Sequence, residues 1–240
     1  MSVDEALLES ATAKGGISLR FYRWGQPTLS LGYFQQYNDR WQHAASRSCA
    51  AVRRATGGGA ILHDRELTYS FIAPPGHRLA ARHIELYISI HTILVDVLAN
   101  HGISAKLCQP EGRERDRTQP FLCFQRRSPA DVLVADVKIA GSAQRRSRSA
   151  VLQHGSVILA SSPAAPELAG LEEVTGTSIS FDQLAQGWLS RLTELLSMEW
   201  QPGLLTDWEK NRAEELVREK YDSTEWTHYR GHGANEKKQT

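Results

Sequence analysis

The chain's patterning predicts an α+β fold, a mixed and largely antiparallel sheet flanked by helices on both sides. Three observations carry this. Short alternating apolar runs recur between Ile17 and Ala73, punctuated by Gly and Pro. A long helical pattern spans Ala81 to His101, and two more follow Pro163. Between them, Asp136 to Ala143 and Val151 to Leu159 flank a basic turn, Gln144 to Arg148, as an antiparallel hairpin.

Taken in order, Ser2 to Ala13 reads as an amphipathic helix with Val3, Ala6, Leu7 and Ser10 on one face, ended by Gly15-Gly16. Two strands follow, Ile17 to Trp24, with Leu19, Phe21 and Arg23 alternating, and Thr28 to Phe34 after Pro27. Asn38 is expected to cap a helix carrying Trp41, Ala44 and Ala45 to the core, and Cys49 to be a small buried hydrophobe. Helix 81–101 presents an apolar stripe that includes His91, expected to be a satisfied core or boundary histidine, and stops at Gly102. A strand spans Ile103 to Leu107. Pro110 to Pro120 has no apolar residue and reads as a solvated, mobile loop. Helices are expected around Leu184 to Leu196, after a Thr175-Gly-Thr177 turn, and from Asp207 to Tyr221.

Composition narrows the function classes. A length of 240 residues suits one domain, expected over 1–230, with 231–240 a disordered tail. A net charge of +1 gives no bulk attraction to nucleic acid or membrane, and no apolar run is long enough to span a bilayer. The N-terminus lacks signal-peptide character, and Cys49, Cys108 and Cys123 form no disulfide framework, which suits reduced thiols in the cytoplasm. No Cys/His spacing suits zinc.

The most informative stretch is Arg53-Arg54-Ala-Thr-Gly57-Gly58-Gly59-Ala-Ile-Leu-His63. Three glycines between two strand-like runs let the backbone lie against a ligand, or serve only as a flexible hairpin. No Lys-Ser/Thr closes the run as in a P-loop, and no Gly-x-Gly-x-x-Gly opens a helix. Arg53 and Arg54 are either solvated edge-strand charges or contacts to a thioester carbonyl or phosphate. His63 either bonds local backbone at a strand end or is a polar group beside the site.

With Asp64 and Glu66-Leu-Thr-Tyr-Ser70, this stretch resembles the lipoate/octanoate protein ligase and transferase family. The resemblance recurs in Asp4-Glu5-Ala6-Leu7-Leu8, Leu19-Arg-Phe-Tyr-Arg-Trp24, Pro27-Thr-Leu-Ser-Leu-Gly-Tyr33, Lys138-Ile-Ala-Gly-Ser-Ala-Gln144 and Leu152-Gln-His-Gly-Ser156. It implies a single catalytic domain with a biotin/lipoate ligase core, similar to class II synthetases, in which the glycine loop lines a tunnel for a medium-chain acyl group. The strand that usually precedes the first helix in the family is missing, as is the small C-terminal domain of many lipoate ligases.

Phe121-Leu-Cys-Phe124 follows the charged stretch, and a cysteine in a short apolar anchor there is placed either to meet a substrate or simply to pack. The resemblance favours the first, since one bacterial class of octanoyltransferases has a nucleophilic Cys-Phe at this position; Cys123 is therefore the expected nucleophile. It also marks Lys138 as the catalytic cation, either holding the acyl oxygen or favouring the Cys123 thiolate. Gly141 and Ser142 are expected to bring their strand close to the acyl chain. His154, beside Gly155, is expected either to accept a proton from the attacking amine or to bond across the hairpin.

The implied reaction moves octanoyl from acyl carrier protein to a lysine of the glycine-cleavage H protein or of the lipoyl domains of 2-oxo acid dehydrogenases, with no cofactor. An excess of basic over acidic residues from Glu111 to Arg148 suits acidic carrier and lipoyl-domain partners. The alternatives are a ligase needing ATP and Mg, an octanoyl amidotransferase, and a protein that only binds acyl groups or carrier proteins. Gln125-Arg126-Arg127 departs from the family pattern and leaves donor and acceptor preference open.

Overall fold

The computed structural model describes residues 1–109 and 120–231. The charged stretch before Pro120 and the tail after Gly231 lie outside the described residues.

Strand β5 (Glu66–Ala73) shows why the chain folds in layers. Leu67, Tyr69, Phe71 and Ala73 enter one core while Ile72 enters another, as the two-residue period of a strand requires. All its residues are buried, so both faces of its sheet must be covered. That sheet has the order β1 (Ser18–Tyr22), β5, β9 (Ala150–Ile158), β8 (Val137–Ser147), β7 (Val132–Val134), β6 (Ala105–Leu107), and every neighbouring pair is antiparallel.

A smaller sheet runs β3 (Ala50–Arg53), β2 (Thr28–Leu31), β4 (Ile61–His63), with β2 parallel to β3 and antiparallel to β4. The fold is thus the mixed, largely antiparallel α+β arrangement that the sequence predicts. The glycine loop joins β3 to β4, as expected.

Helices close the layers. On one face of the large sheet, α3 (His83–Asn100) and α5 (Phe181–Leu196) bury Leu86, Ile90, Ile93 and Trp188 against Leu67, Phe71 and Ile139. Each such side chain contributes about 1.5–3 kcal/mol by leaving water. On the other face, α1 (Ser2–Lys14) sets Leu7, Leu8 and Ala11 on Ile72, Ala150 and Leu152. The short α2 (Arg78–Ala81) leads into α3, and α4 (Leu171–Thr175) ends at left-handed Gly176. A capping box starts α5, with the Ser180 hydroxyl accepting from Gln183 N–H. Helix α6 (Asp207–Leu216) packs on α1, and α7 (Thr224–Tyr229) closes the described chain against β3.

One expected element is corrected. Residues 37–46 form two 3-10 turns, Tyr37–Gln42 and Ala44–Ser46, not an α-helix begun at Asn38. Trp41, Ala44 and Ala45 are exposed. The interior position goes instead to Arg40, whose guanidinium donates to the Arg47 and Cys49 carbonyls at 3.1 and 2.8 Å. With the Tyr37 hydroxyl as a third acceptor at 3.1 Å, these bonds hold the segment tighter than an α-helix allows.

Candidate active site

Where the small sheet covers β5, β9 and β8 lies a cavity of about 230 Å³. Its lining includes Arg54, Gly57, Gly58, His63, Cys123, Lys138, Gly141, Ser142, His154 and Gly155, ten of the residues singled out from sequence. Arg53 and Gly59 stand outside it.

Cys123 opens a 3-10 turn, Cys123–Gln125, which hangs from the small sheet. Ala60 N–H donates to Phe121 O at 3.0 Å and Cys123 N–H to Ala60 O at 2.7 Å, so the segment extends the edge beside β4. Leu122 and Phe124 bury themselves in the small sheet's core. The half-buried thiol is left facing the cavity.

Lys138 comes from the large sheet. Its Nζ lies 2.8 Å from Asp131 Oδ2, 3.4 Å from the Cys123 carbonyl oxygen and 3.8 Å from Cys123 Sγ. Lysine and aspartate are only 4% and 1% exposed, so neither charge is stable without the other. Asp131 is itself fixed by the Ser128 N–H at 2.7 Å and the Tyr87 hydroxyl at 3.3 Å. Asp131 Oδ2, the Cys123 carbonyl oxygen and Cys123 Sγ thus stand within reach of the three ammonium protons, and the contact to sulfur is the longest of the three. Gly141 is what lets the lysine lie there: a Cβ on it would sit 2.7 Å from Lys138 Cε and 2.9 Å from Nζ.

A second cation lies across the sulfur. Arg54 is buried, and its Nη2 donates to Gly57 O and Gly59 O at 2.8 and 2.7 Å, so the glycine loop is wrapped around a guanidinium. Burial lowers its pKa to about 10, which leaves it charged at neutral pH. Gly58, at φ 98°, has room for no side chain: a Cβ would stand 2.9 Å from Arg54 Nη2 and 3.9 Å from Cys123 Sγ.

Arg53 has a different task from the ligand contact weighed for it. Its guanidinium donates to Gly32, Tyr33, Gln35 and Thr227 carbonyls at 2.7 to 3.0 Å and is 0% exposed. It pins the turn after β2 to α7. Gly59 backs Cys123, since a Cβ there would meet the Cys123 Cα at 3.0 Å.

His154 bonds neither across the hairpin nor to a free space: its Nε2 pairs with Thr56 Oγ1 of the glycine loop at 2.7 Å. Burial, aided by the Arg54 charge, pushes its pKa down to about 4, so it is neutral at neutral pH. His63 pairs through Nδ1 with the buried Glu66 carboxylate at 2.5 Å and is stacked by Trp24 at 4.1 Å. Three strand positions beyond Ala60, it stands about 10 Å further along β4. The Ser142 hydroxyl turns into the core, to Tyr69 of β5 and to His91 Nε2 of α3, both at 2.5 Å. His91 also meets Ala130 O at 2.6 Å, the satisfied core histidine expected.

Several lining residues were not singled out as site residues from the sequence, among them Tyr22, Thr68, Tyr87 and Asp131, although the first two stand inside motifs that carry the family resemblance. For Asp131 a clue was present, a lone acid directly before the apolar triplet Val132–Val134 in a basic stretch. Among the described residues no group of His, Cys, Asp and Glu is arranged to hold a metal ion, and no helix is long and apolar enough to cross a membrane.

The family model for the lipoyl protein ligase A/B catalytic domain matches residues 1–186. The chain is similar to octanoyltransferase LipM of Moorella thermoacetica, 34% identical over 251 residues, covering 94% of this chain and 92% of that protein. It is similar also to octanoyltransferase LipM of Brevibacillus brevis, 34% identical over 255 residues with 94% and 92% covered. Among solved structures it matches a bi-partite lipoate protein ligase of Thermoplasma acidophilum with a TM-score of 0.73 at 20% identity, covering 95% and 89% of the two chains. At that identity the likeness is one of fold.

Proposed function

The chain belongs to the lipoyl protein ligase A/B catalytic domain family, and from that membership we propose that it is an acyltransferase moving octanoyl to a protein lysine in lipoate biosynthesis, by way of a Cys123 thioester. The relatives named octanoyltransferase support the coarse activity. The observation that carries the cysteine route is the 3.8 Å contact between Lys138 Nζ and Cys123 Sγ at the wall of the cavity.

The chemistry runs in two exchanges. The Cys123 thiolate attacks the donor thioester carbon. The Lys138 N–H that faces the sulfur turns to the carbonyl oxygen as that oxygen gains charge. The donor's C–S bond breaks, and its thiolate takes up the proton that Cys123 gave away. A neutral lysine amine of the acceptor then attacks the enzyme thioester; the C–N bond forms, the C–S bond breaks, and the amine proton passes to the departing Cys123 sulfur.

Buried against Trp24, Ile61 and Phe124, the seven carbons of the octanoyl tail would contribute about 5–6 kcal/mol of binding. His154, neutral and tied to Thr56, shapes the tunnel instead of acting as a strong base. The donor in this reading is acyl carrier protein, and the acceptors are the H protein or lipoyl domains.

Intact-protein mass spectrometry tests this. Octanoyl carrier protein without ATP should leave a hydroxylamine-sensitive octanoyl adduct on the enzyme, absent from Cys123→Ala and discharged by an acceptor domain. Acceptor modification that needs free octanoate and ATP and survives Cys123→Ala would make the protein a ligase.

A further inference from the structure

A second recess adjoins the cavity from outside. It is a groove open to solvent. Phe34 and Phe121 supply apolar walls, Gln42 and Asp39 polar ones, and Arg126 a positive charge. Gly58 belongs to both spaces. The two flanks of the glycine loop fix the spacing: a Cβ at Gly58 would lie 3.9 Å from Cys123 Sγ, and one at Gly57 would lie 3.6 Å from the Phe34 ring. Phe121 and Arg126 sit on either side of Cys123 in the chain.

We infer that this groove receives the pantetheine arm of the thioester donor, an inference that rests on the thioester-transfer reading above. With the acyl tail directed inward, the leaving sulfur and what it carries must extend outward past the glycine loop. The arm is a chain of two secondary amides and a geminal dimethyl group. Amides need both a donor and an acceptor along their path, which glutamine side chains supply. The Gln42 amide N–H donates to Asp39 Oδ1 at 3.2 Å, which leaves its carbonyl for an arm N–H, and Asp39 Oδ2 is taken by the Gln36 N–H. Phe34 is 73% exposed, yet held edge-on by Tyr33 with centroids 5.0 Å apart. A fixed apolar ring at the lip suits the dimethyl group. An acceptor lysine, four methylenes and an amine, has no amide to match these walls.

The test compares two small donors in the acylation step alone, S-octanoyl-pantetheine and the truncated S-octanoyl-N-acetylcysteamine, by the rate of acyl-enzyme formation on the full chain. The wild type should favour the longer arm by about tenfold, the equivalent of one or two neutral hydrogen bonds. The double variant F34A/Q42A should bring that ratio to about two or less. Both side chains are exposed, so the change leaves the core alone. A ratio that persists in the double variant overturns the assignment. So does a variant whose acylation is normal but whose discharge by an acceptor domain slows, which would give the groove to the acceptor. If neither donor acylates wild-type Cys123, it is the thioester reading that fails.

Discussion

The two halves of the site are built on unlike supports. Lys138 and Asp131 stand on or beside the large sheet, buried between strands with helices behind them. Cys123 hangs from the edge of the small sheet by two backbone hydrogen bonds and two buried neighbours. On the proposed route the cation would meet each developing oxygen in one place and benefit from rigidity. The sulfur would accept an acyl group from one protein and pass it to another, and benefit from a support with fewer bonds to break. That reading puts fixed electrostatics on one sheet and adjustable chemistry on the other.

The sharpest way to break this division is Cys123→Ala. It should abolish the octanoyl adduct and reduce transfer at least about a thousandfold while leaving the fold intact, checked by single-turnover transfer and circular dichroism. Lys138→Met should slow acylation by about 10²- to 10³-fold, the scale for loss of one oxyanion donor. Asp131→Asn should do likewise and also cost about 3–5 kcal/mol of stability, because it strands a buried charge. If Asp131→Asn unfolds as easily as wild type in urea, the large sheet is not the rigid half.

Gly141→Ala should be milder for stability, about 1–3 kcal/mol, but should still lower acylation because its methyl displaces Lys138. Equal effects on stability and rate would show that the lysine adapts.

The last effect, on pH, bears on stability and not on rate. Burial holds both His91 and His154 at about 4, below the ordinary value near 6.5. The unfolded chain therefore takes up protons first, so stability is complete above pH 6.5 and drains as pH falls toward 4. For fully buried His91 this amounts to about 3 kcal/mol. Melting temperature against pH, with His91→Gln as the comparison, measures it.

Much of this was legible from the sequence, and the failures have physical causes. The first helix, the strands around the glycine loop and the β8–β9 hairpin follow from periodicity and turn residues, because those are local. Cys123 and Lys138 were drawn together by resemblance, and the structure sets them in contact. Asp131 escaped because its pairing with Lys138 arises from antiparallel register with a bulge between Val132 and Leu133. Arg53 and Arg54 are adjacent and identical in type, yet opposite strand faces send one to α7 and the other into the loop. No composition or spacing distinguishes them. The segment after Asn38 misled because an arginine, Arg40, fills the position an apolar residue would take in an ordinary helix.

The Arg53 clamp has a consequence for the order of synthesis. Its guanidinium bonds to the Thr227 carbonyl, 174 residues later in the chain. At about 5–20 residues per second on the ribosome, that partner arrives roughly 10–35 s after the arginine. Until then the turn after β2 keeps a cation without its last acceptor, and the strand leading into the glycine loop has no lid. The turn after β2 is therefore pinned to α7 only when the end of the described chain has emerged.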